Sequence, residues 1–333
     1  MVCRKTFYNN IEFLLAKIKN TIILSYFYSC VIILNINNKV KRIDIMYRKC
    51  SFNKLKCLSI ALIVASCIIF ASCVSLFDNG KSHNIGELSV HFLDVGQGDS
   101  IFIELPDERT MLIDAGDRGC GDKIVQYINN EGYSKVDFLI ATHPHADHIG
   151  SMDYVVDNLE IGQVYMPKVA TSTKTFENLL TAISKKGLKI KSALAGTSVV
   201  EEDKLCAQFV APVELDEDDL NNCSLVLKLE YNKTSFLFTG DAEEKELEQI
   251  TADISADVLK VGHHGSRTST YEEFVDVVDP YIAVISCGKN NDYKHPHKEV
   301  LKLLKDKEVY RTDEDGTVVI SSYGNDINIE TEK

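Results

Sequence analysis

Seven residues, Thr142-His143-Pro144-His145-Ala146-Asp147-His148, hold three of the chain's nine histidines and a carboxylate. Neutral imidazole and carboxylate are the ligand types that suit zinc and similar borderline divalent metals. His143 and His145 can reach one ion from the same loop. Asp147 and His148, displaced along the chain, can reach a second. The apolar run just before them, Val136–Ala141 (VDFLIA), reads as a buried strand. The cluster therefore opens a loop where a strand ends, a place from which side chains can meet a ligand. Two more histidine groups have similar placement. His263-His264 follows the short strand Val258–Val261, and His295-Pro296-His297 comes after the strand Tyr281–Ser286.

The elements that must position these residues alternate between strand and helix. Leu88–Leu93, Ile101–Leu105 and Thr110–Ile113 read as strands. Asp94-Val95-Gly96-Gln97-Gly98-Asp99-Ser100 lies between the first two, and its glycines permit a tight turn or a close backbone approach. Asp114-Ala115-Gly116 closes the third strand. Gly121–Asn130 is an amphipathic helix, Asp147–Asn158 a second, and Phe176–Lys186 a third with Gly187 as its stop. Val164–Met166, Leu188–Ala195, Leu205–Ala211, Leu225–Leu229 and Ser235–Phe238 are strands. Glu243–Ile250, Tyr271–Val278 and Glu299–Lys305 are helices, and a hairpin turns at Gly324-Asn325. The pattern is that of an α/β body over residues 88–333.

Charge divides the chain. Residues 1–73 carry eleven basic and two acidic side chains, a balance of +9, and the remainder carries 25 basic and 47 acidic, a balance of −22. From Met46, the basic residues Arg48, Lys49, Lys54 and Lys56 precede the apolar Leu58–Phe70 and a Cys73. That is the layout of a signal or transmembrane segment. Val64-Ala65-Ser66-Cys67 and Phe70-Ala71-Ser72-Cys73 both resemble a bacterial lipobox. Residues 1–45 read as an upstream extension or an extra anchor, 46–73 as the membrane segment and 74–87 as a tether. These features imply a protein held at the outer face of a bacterial membrane, either by a lipid anchor at Cys67 or Cys73 or by the uncleaved segment itself. Of the ten cysteines only Cys120, Cys206, Cys223 and Cys287 fall in the body, without a C-x-x-C pair, so they form no metal or disulfide framework.

The H-x-H-x-D-H segment from His143 to His148 resembles the signature of the metallo-β-lactamase fold superfamily. The D-V-G-Q-G-D-S stretch at Asp94–Ser100 is similar to the opening of the extracellular hydrolase domain of ComEC-type competence proteins. The resemblance implies an αββα sandwich with two divalent metal ions, zinc with manganese as the alternative, at one edge. It assigns His143, His145, Asp147, His148, Asp241 and His264 to the metals, with Asp241 bridging. Either member of the His263-His264 pair fits its motif. His264 is favoured as the ligand, and His263 as facing substrate or giving support. Asp114 supports the metal loop by hydrogen bonding. The superfamily's usual third-motif histidine is missing. Asn221-Asn222-Cys223-Ser224 stands in its place, a departure the ComEC-type domains share. It leaves Asn222 or Ser224 to bond a water or the substrate. His295 or His297 would then make up for the missing ligand or contact substrate, and Arg267 would meet an anion held by the metals.

Two metals sharing a carboxylate would activate a water as nucleophile and neutralise charge on a phosphoryl or carbonyl oxygen. No G-x-S-x-G, Walker A or dinucleotide fingerprint offers another chemistry. The resemblance points to a phosphodiesterase or nuclease, with Asp147, His263, Asp114 and Arg267 in the catalytic machinery and DNA as the leading substrate. A body at −22 repels polyanions unless cations gather at the cleft. Lys260, Arg267, Lys289, Lys294 and Lys298 flank the last motifs and are the expected basic rim. Two other readings stand beside this one. One is an esterase for another anionic surface substrate such as the phosphocholine of teichoic acid, and the other a non-catalytic, metal-stabilised binding module. Nothing in the sequence calls for a protein partner.

Overall fold

Short runs of branched and aromatic residues make up most of the strands, and many are buried on both faces, which requires layers on each side. The computed structural model describes residues 85–216 and 218–333. The upstream extension, the membrane segment and most of the tether expected from the sequence lie outside these residues. Among the described residues, no helix is long and apolar enough to cross a membrane.

The first six strands enter one sheet: β1 (Leu88–Phe92), β2 (Ile101–Glu104), β3 (Thr110–Ile113), β4 (Lys135–Ile140), β5 (Glu160–Met166) and β6 (Ile190–Ser192). The next seven form the other: β7 (Ser198–Glu202), β8 (Leu205–Ala211), β9 (Val226–Tyr231), β10 (Thr234–Phe238), β11 (Val258–Lys260), β12 (Ile282–Ile285) and β13 (Glu308–Arg311). The hairpin of β14 (Val318–Ser322) and β15 (Ile327–Thr331) returns to the first sheet beside β1, giving the orders β15-β14-β1-β2-β3-β4-β5-β6 and β13-β12-β11-β10-β9-β8-β7. β3 to β6 run parallel, and so do β10 to β13. The parallel stretches decide where chemistry can happen, because their C-terminal ends open into loops at a common edge.

Between the sheets, Phe92, Phe209, Phe236 and Phe238 meet Leu and Ile from both sides in one closed core. The outer face of the first sheet is covered by α1 (Gly121–Asn130), α2 (Ala146–Ile149), α3 (Met152–Asn158) and α4 (Lys174–Lys185). α4 shows why such a segment becomes helix. Thr173 Oγ1 accepts the Phe176 backbone N–H at 3.3 Å, capping its start. Phe176, Leu179, Ala182 and Ile183 then fall on one buried stripe. The outer face of the second sheet is covered by α5 (Glu244–Leu247), α6 (Glu272–Val278) and α7 (Lys298–Leu303), and α8 (Thr312–Asp315) follows β13. The result is the αββα sandwich expected from the resemblance.

Three differences from the sequence reading have physical causes. The helix expected over Asp147–Asn158 is broken at Gly150-Ser151, where a Cβ at position 150 would collide with the Ala146 carbonyl and the Arg118 backbone. The break frees Asp147 and His148 from a continuous helix. β7 and β13 were not foreseen, and they are the two edge strands of the second sheet. Their sequences SVVEE and EVYR carry charges and are only partly buried, as edges usually are, so they lack the buried-strand pattern.

Replacing Phe236, which is 0% exposed between the sheets, with Ala should cost about 3–5 kcal/mol. Tyr281→Ala, at a side chain 73% exposed, should change stability by less than about 0.5 kcal/mol. Urea unfolding of the two variants checks both values, and equal losses would place the core elsewhere.

Candidate metal centre

Strand ends from both sheets converge at one edge. Asp114 follows β3, the 142–148 loop follows β4, Asp241 follows β10, and His263-His264 follow β11. Burying so many ionisable groups is unfavourable unless each is paired or held by a cation, and the hydrogen-bond network accounts for them one by one.

Asp114, fully buried, takes a left-handed backbone conformation with φ of 59°. Its Oδ1 accepts the Thr142 N–H at 2.8 Å. Its Oδ2 accepts the Thr142 hydroxyl at 2.6 Å and His148 Nδ1–H at 2.7 Å. The hydroxyl's single proton goes to Asp114, so Thr142 Oγ1 accepts from His143 Nδ1 at 3.1 Å. Ser224 Oγ lies 3.3 Å from the same nitrogen and accepts the Asp241 N–H at 3.2 Å. His264 Nδ1 donates to the Ser286 carbonyl at 3.0 Å, and a carbonyl can only accept. The three buried imidazoles of this centre, His143, His148 and His264, therefore use Nδ1 as the donor and turn Nε2 inward, the arrangement that prepares histidine for a metal.

What those nitrogens face is Asp241. Its Oδ2 lies 3.1 Å from His148 Nε2, 3.5 Å from His264 Nε2, 3.6 Å from His263 Nε2 and 3.9 Å from His143 Nε2. Asp147 Oδ2 reaches His264 Nε2 at 3.2 Å, and His145 Nδ1 lies 3.0 Å from His143 Nε2. The turn Gly262–Gly265 makes the double approach by neighbouring histidines feasible. His263 and His264 have φ of 49° and 55°, so the chain coils left-handed and both rings face Asp241. In extended chain they would point to opposite sides. Such a backbone is strained for side-chain-bearing residues, by roughly 1–2 kcal/mol each, and strain of this kind gathers at functional sites.

Burial pushes the His148 and His264 imidazoles down, but the carboxylates outweigh it. Asp241 and Asp114 raise His148 well above its ordinary value, and Asp241 and Asp99 bring His264 up to about 10. Burial and neighbouring His148 hold His143 well below the usual imidazole range. Burial alone would raise Asp241, yet His148, His264 and His143 hold it well below the usual carboxylate range. Without a metal, protonated imidazoles supply the positive charge at the centre.

The residues fit divalent metals. Donor atoms of Asp147, His148, Asp241 and His264 all lie within 4.8 Å of one another. Asp241 Oδ1 and His148 Nε2 are closed to solvent and make no hydrogen bond. Those four residues would hold one ion. His143 and His145, with Asp241, stand where a second would be held by fewer protein ligands.

The other residues singled out by the sequence are spread more widely. His263 is half-open, with Nδ1 3.1 Å from Glu243 Oε1. Asn222 Oδ1 accepts the Glu243 N–H at 3.2 Å, so it braces the loop after Asp241 instead of facing outward. His295 lines the cavity beside His263 and His264, with ring centroids 5.6 and 6.4 Å away. It does not stand at the His143 side, where the third-motif ligand is missing. Burial, His263 and His297 push its imidazole down to about 4. His297 Nδ1 accepts the Arg267 backbone N–H at 3.1 Å. Arg267 is exposed, and neither it nor His297 lines the cavity. Lys260 is no part of the expected rim. It is 1% exposed, with Nζ 2.7 Å from Asp99 Oδ2.

Sequence reading missed Asp99, Gln97, Thr142 as a bridge, and Tyr293, and it placed Lys260 on the rim instead of against Asp99. One signal was present, the second acid of the glycine-rich stretch. Gln97 Oε1 accepts the Gly288 N–H at 3.0 Å, and its side chain lines a cavity of about 500 Å³ over Asp147, Asp241 and His264.

The chain belongs to the metallo-β-lactamase superfamily, whose family model matches residues 93–289. Among its relatives is ComE operon protein 3 of Bacillus subtilis, 37% identical over 254 residues, covering 70% of this chain and 33% of that protein. Recombination protein 2 of Haemophilus influenzae is 32% identical over 222 residues, 65% of this chain and 26% of that protein. The chain thus spans about a third or less of these relatives' length. The solved metallo-β-lactamase fold protein YhfI of Bacillus subtilis matches with a TM-score of 0.45 at 12% identity, covering 67% of this chain and 96% of that one. Within that superfamily it is related to ComEC-type competence proteins.

Asp241→Asn should remove both metals, because its carboxylate faces both sets of ligands, whereas His264→Ala should release about one of two equivalents. Metal analysis after mild chelation checks this; equal loss in the two variants would contradict the shared carboxylate. Metal entering displaces the protons on His148 and His264. Affinity should therefore fall as pH falls, and chelator competition at roughly pH 6 and pH 8 should show tighter binding at the higher value.

Proposed function

We propose that the protein hydrolyses phosphodiesters, with a nucleic-acid strand as the substrate class and DNA foremost. The observation that carries the reading is the pairing of two clefts. The metal-centre cavity is bounded by His295, and His295 also bounds a second cleft of about 800 Å³ that contains Lys289, Lys294, Asn290 and Asn291. Both lysines are exposed. In an acidic body they offer a place for phosphates flanking a bond held at the metals. Tyr293, 66% exposed, lines the metal-centre cavity and stacks on His295 with centroids 5.7 Å apart, and an exposed aromatic close in sequence to Lys294 suits a base.

Bound divalent metals would supply an acidified water and charge neutralisation at the phosphoryl oxygens. The chain's own contributions are distinct. Asp114 holds the proton of His148 on Nδ1, and Ser286 does the same for His264. Asp241 and Asp147 supply fixed negative charge that draws the metals in. His263, oriented by Glu243, faces the open side of the cavity and can hold or pass a proton at Nε2. Neutral His295 closes the wall on which the leaving strand would lie. Arg267, exposed and outside the cavity lining, meets only the far reach of a long substrate. As part of the same proposal, residues 46–73 tether this hydrolase at the outer face of a bacterial membrane.

The test compares bis-p-nitrophenyl phosphate, phosphocholine esters and single-stranded oligonucleotides, with zinc and with manganese. Lys289→Glu combined with Lys294→Glu should lower kcat/KM on oligonucleotides by about tenfold or more and flatten its salt dependence, while the small diester is affected far less. Equal effects on both substrates would remove the polymer reading. Phosphocholine turnover above diester turnover would favour the surface esterase.

A further inference from the structure

The hydrolytic reading leaves one buried charge pair unexplained. Asp99 and Lys260 are each 1% exposed, and their Oδ2–Nζ distance is 2.7 Å. A buried ion pair is commonly no more stabilising than apolar side chains of similar volume, so stability alone does not explain it. The surroundings of Asp99 do. Its other oxygen, Oδ1, lies 3.3 Å from His264 Nδ1. Its backbone N–H donates to the Asp147 carbonyl at 3.1 Å, and its carbonyl accepts the Gly116 N–H at 2.8 Å. Gly98 beside it packs so tightly on the Asp147 carbonyl that a Cβ there would overlap it. One residue therefore touches both the loop of Asp147 and the ring of His264, two of the four donors at the better-furnished metal site. Lys260 is fixed in turn. Its Nζ donates to the Val261 carbonyl at 3.0 Å, and its own carbonyl accepts the Thr239 hydroxyl at 2.8 Å, locking it between the ends of β10 and β11.

We propose that Asp99 is the positioning residue of this site, and that Lys260 is the counter-charge that holds it there. Asp99 Oδ1 and the Ser286 carbonyl flank His264 Nδ1 together. The Ser286 carbonyl accepts the Nδ1 proton, and Asp99 Oδ1, which makes no hydrogen bond of its own, sets negative charge against that edge of the ring, so that Nε2 points at Asp147 and Asp241. The backbone bond from Asp99 to Asp147 sets the facing carboxylate at the same time. Lys260 is required because Asp99 would otherwise be an uncompensated carboxylate near Asp147 and Asp241, two acids that face the same imidazole. The proposal rests on His264 being a metal ligand and not on the identity of the substrate.

Co²⁺ titration of the metal-free protein tests it, because the visible spectrum of Co²⁺ reports its ligand geometry, and thermal melts of the same samples report stability. The variants are Asp99→Asn, which keeps the shape, and the double variant Asp99→Leu with Lys260→Met, which removes both charges. The double variant should melt at or above the wild-type temperature. The tighter of its two Co²⁺ equivalents should bind about ten- to a hundredfold more weakly with an altered spectrum, and the weaker equivalent should be unchanged. Asp99→Asn should show the same selective loss. Wild-type affinity and spectrum in a folded double variant would overturn the proposal. Loss of both equivalents in step with a lowered melting temperature would overturn it too, by showing a merely structural pair. Uptake of a single equivalent by the wild-type protein would sink the two-metal reading but not this proposal, which weakened binding of that one equivalent in both folded variants would support and unchanged binding would overturn.

Discussion

The structure depends on one buried carboxylate that cannot be satisfied by hydrogen bonds alone. Asp241 is 1% exposed, its Oδ1 has no hydrogen-bond partner, and its Oδ2 faces four imidazole nitrogens within 3.9 Å. A carboxylate out of water requires positive charge close by, or it takes up a proton. Here the charge comes from His148 and His264, whose Nδ1 atoms are already committed to Asp114 and Ser286. Each of those partners is buried and placed by a strand end. The electrostatic demand of one side chain therefore explains why residues far apart in sequence are gathered at this edge.

The sandwich meets that demand by bringing parallel strands of both sheets to the same edge. β3 and β4 deliver Asp114 and the 142–148 loop from one sheet. β10 and β11 deliver Asp241 and the histidine pair from the other. The inter-sheet core of Phe92, Phe209, Phe236 and Phe238 fixes the distance between the two sets. Gly240, with φ of 52°, lets the Asp241 loop pass close to Thr142 and Ser224; a Cβ there would come within 3.0 Å of the Thr142 Cβ. Packing and chemistry are thus one constraint, since the loops meet only if the sheets pack.

Much of this could be read in the sequence, for reasons that differ by residue. The 142–148 cluster was legible because its residue types are rare and concentrated. β8 and α1 were legible to the residue because their apolar periodicity is strong and their ends are marked. The edge strands β7 and β13 were not, since an edge exposed to water carries charges that erase the pattern. The positions of Lys260 and Arg267 were also out of reach. A lysine in an apolar strand and an arginine after a histidine pair both read as rim cations, and only the packing shows that one is sealed against Asp99 while the other stands outside the cavity. Asn222 failed for a related reason. Its amide could have faced the cavity or the backbone, and spacing does not distinguish the two.

The central claim is that two metal ions share Asp241. Anomalous diffraction from crystals grown with manganese or zinc tests it most directly. The account predicts two peaks, one beside His143 and His145 and one among Asp147, His148 and His264, separated by about 3.5–4 Å with Asp241 touching both. A single peak, or two peaks with Asp241 bound to only one of them, would contradict it.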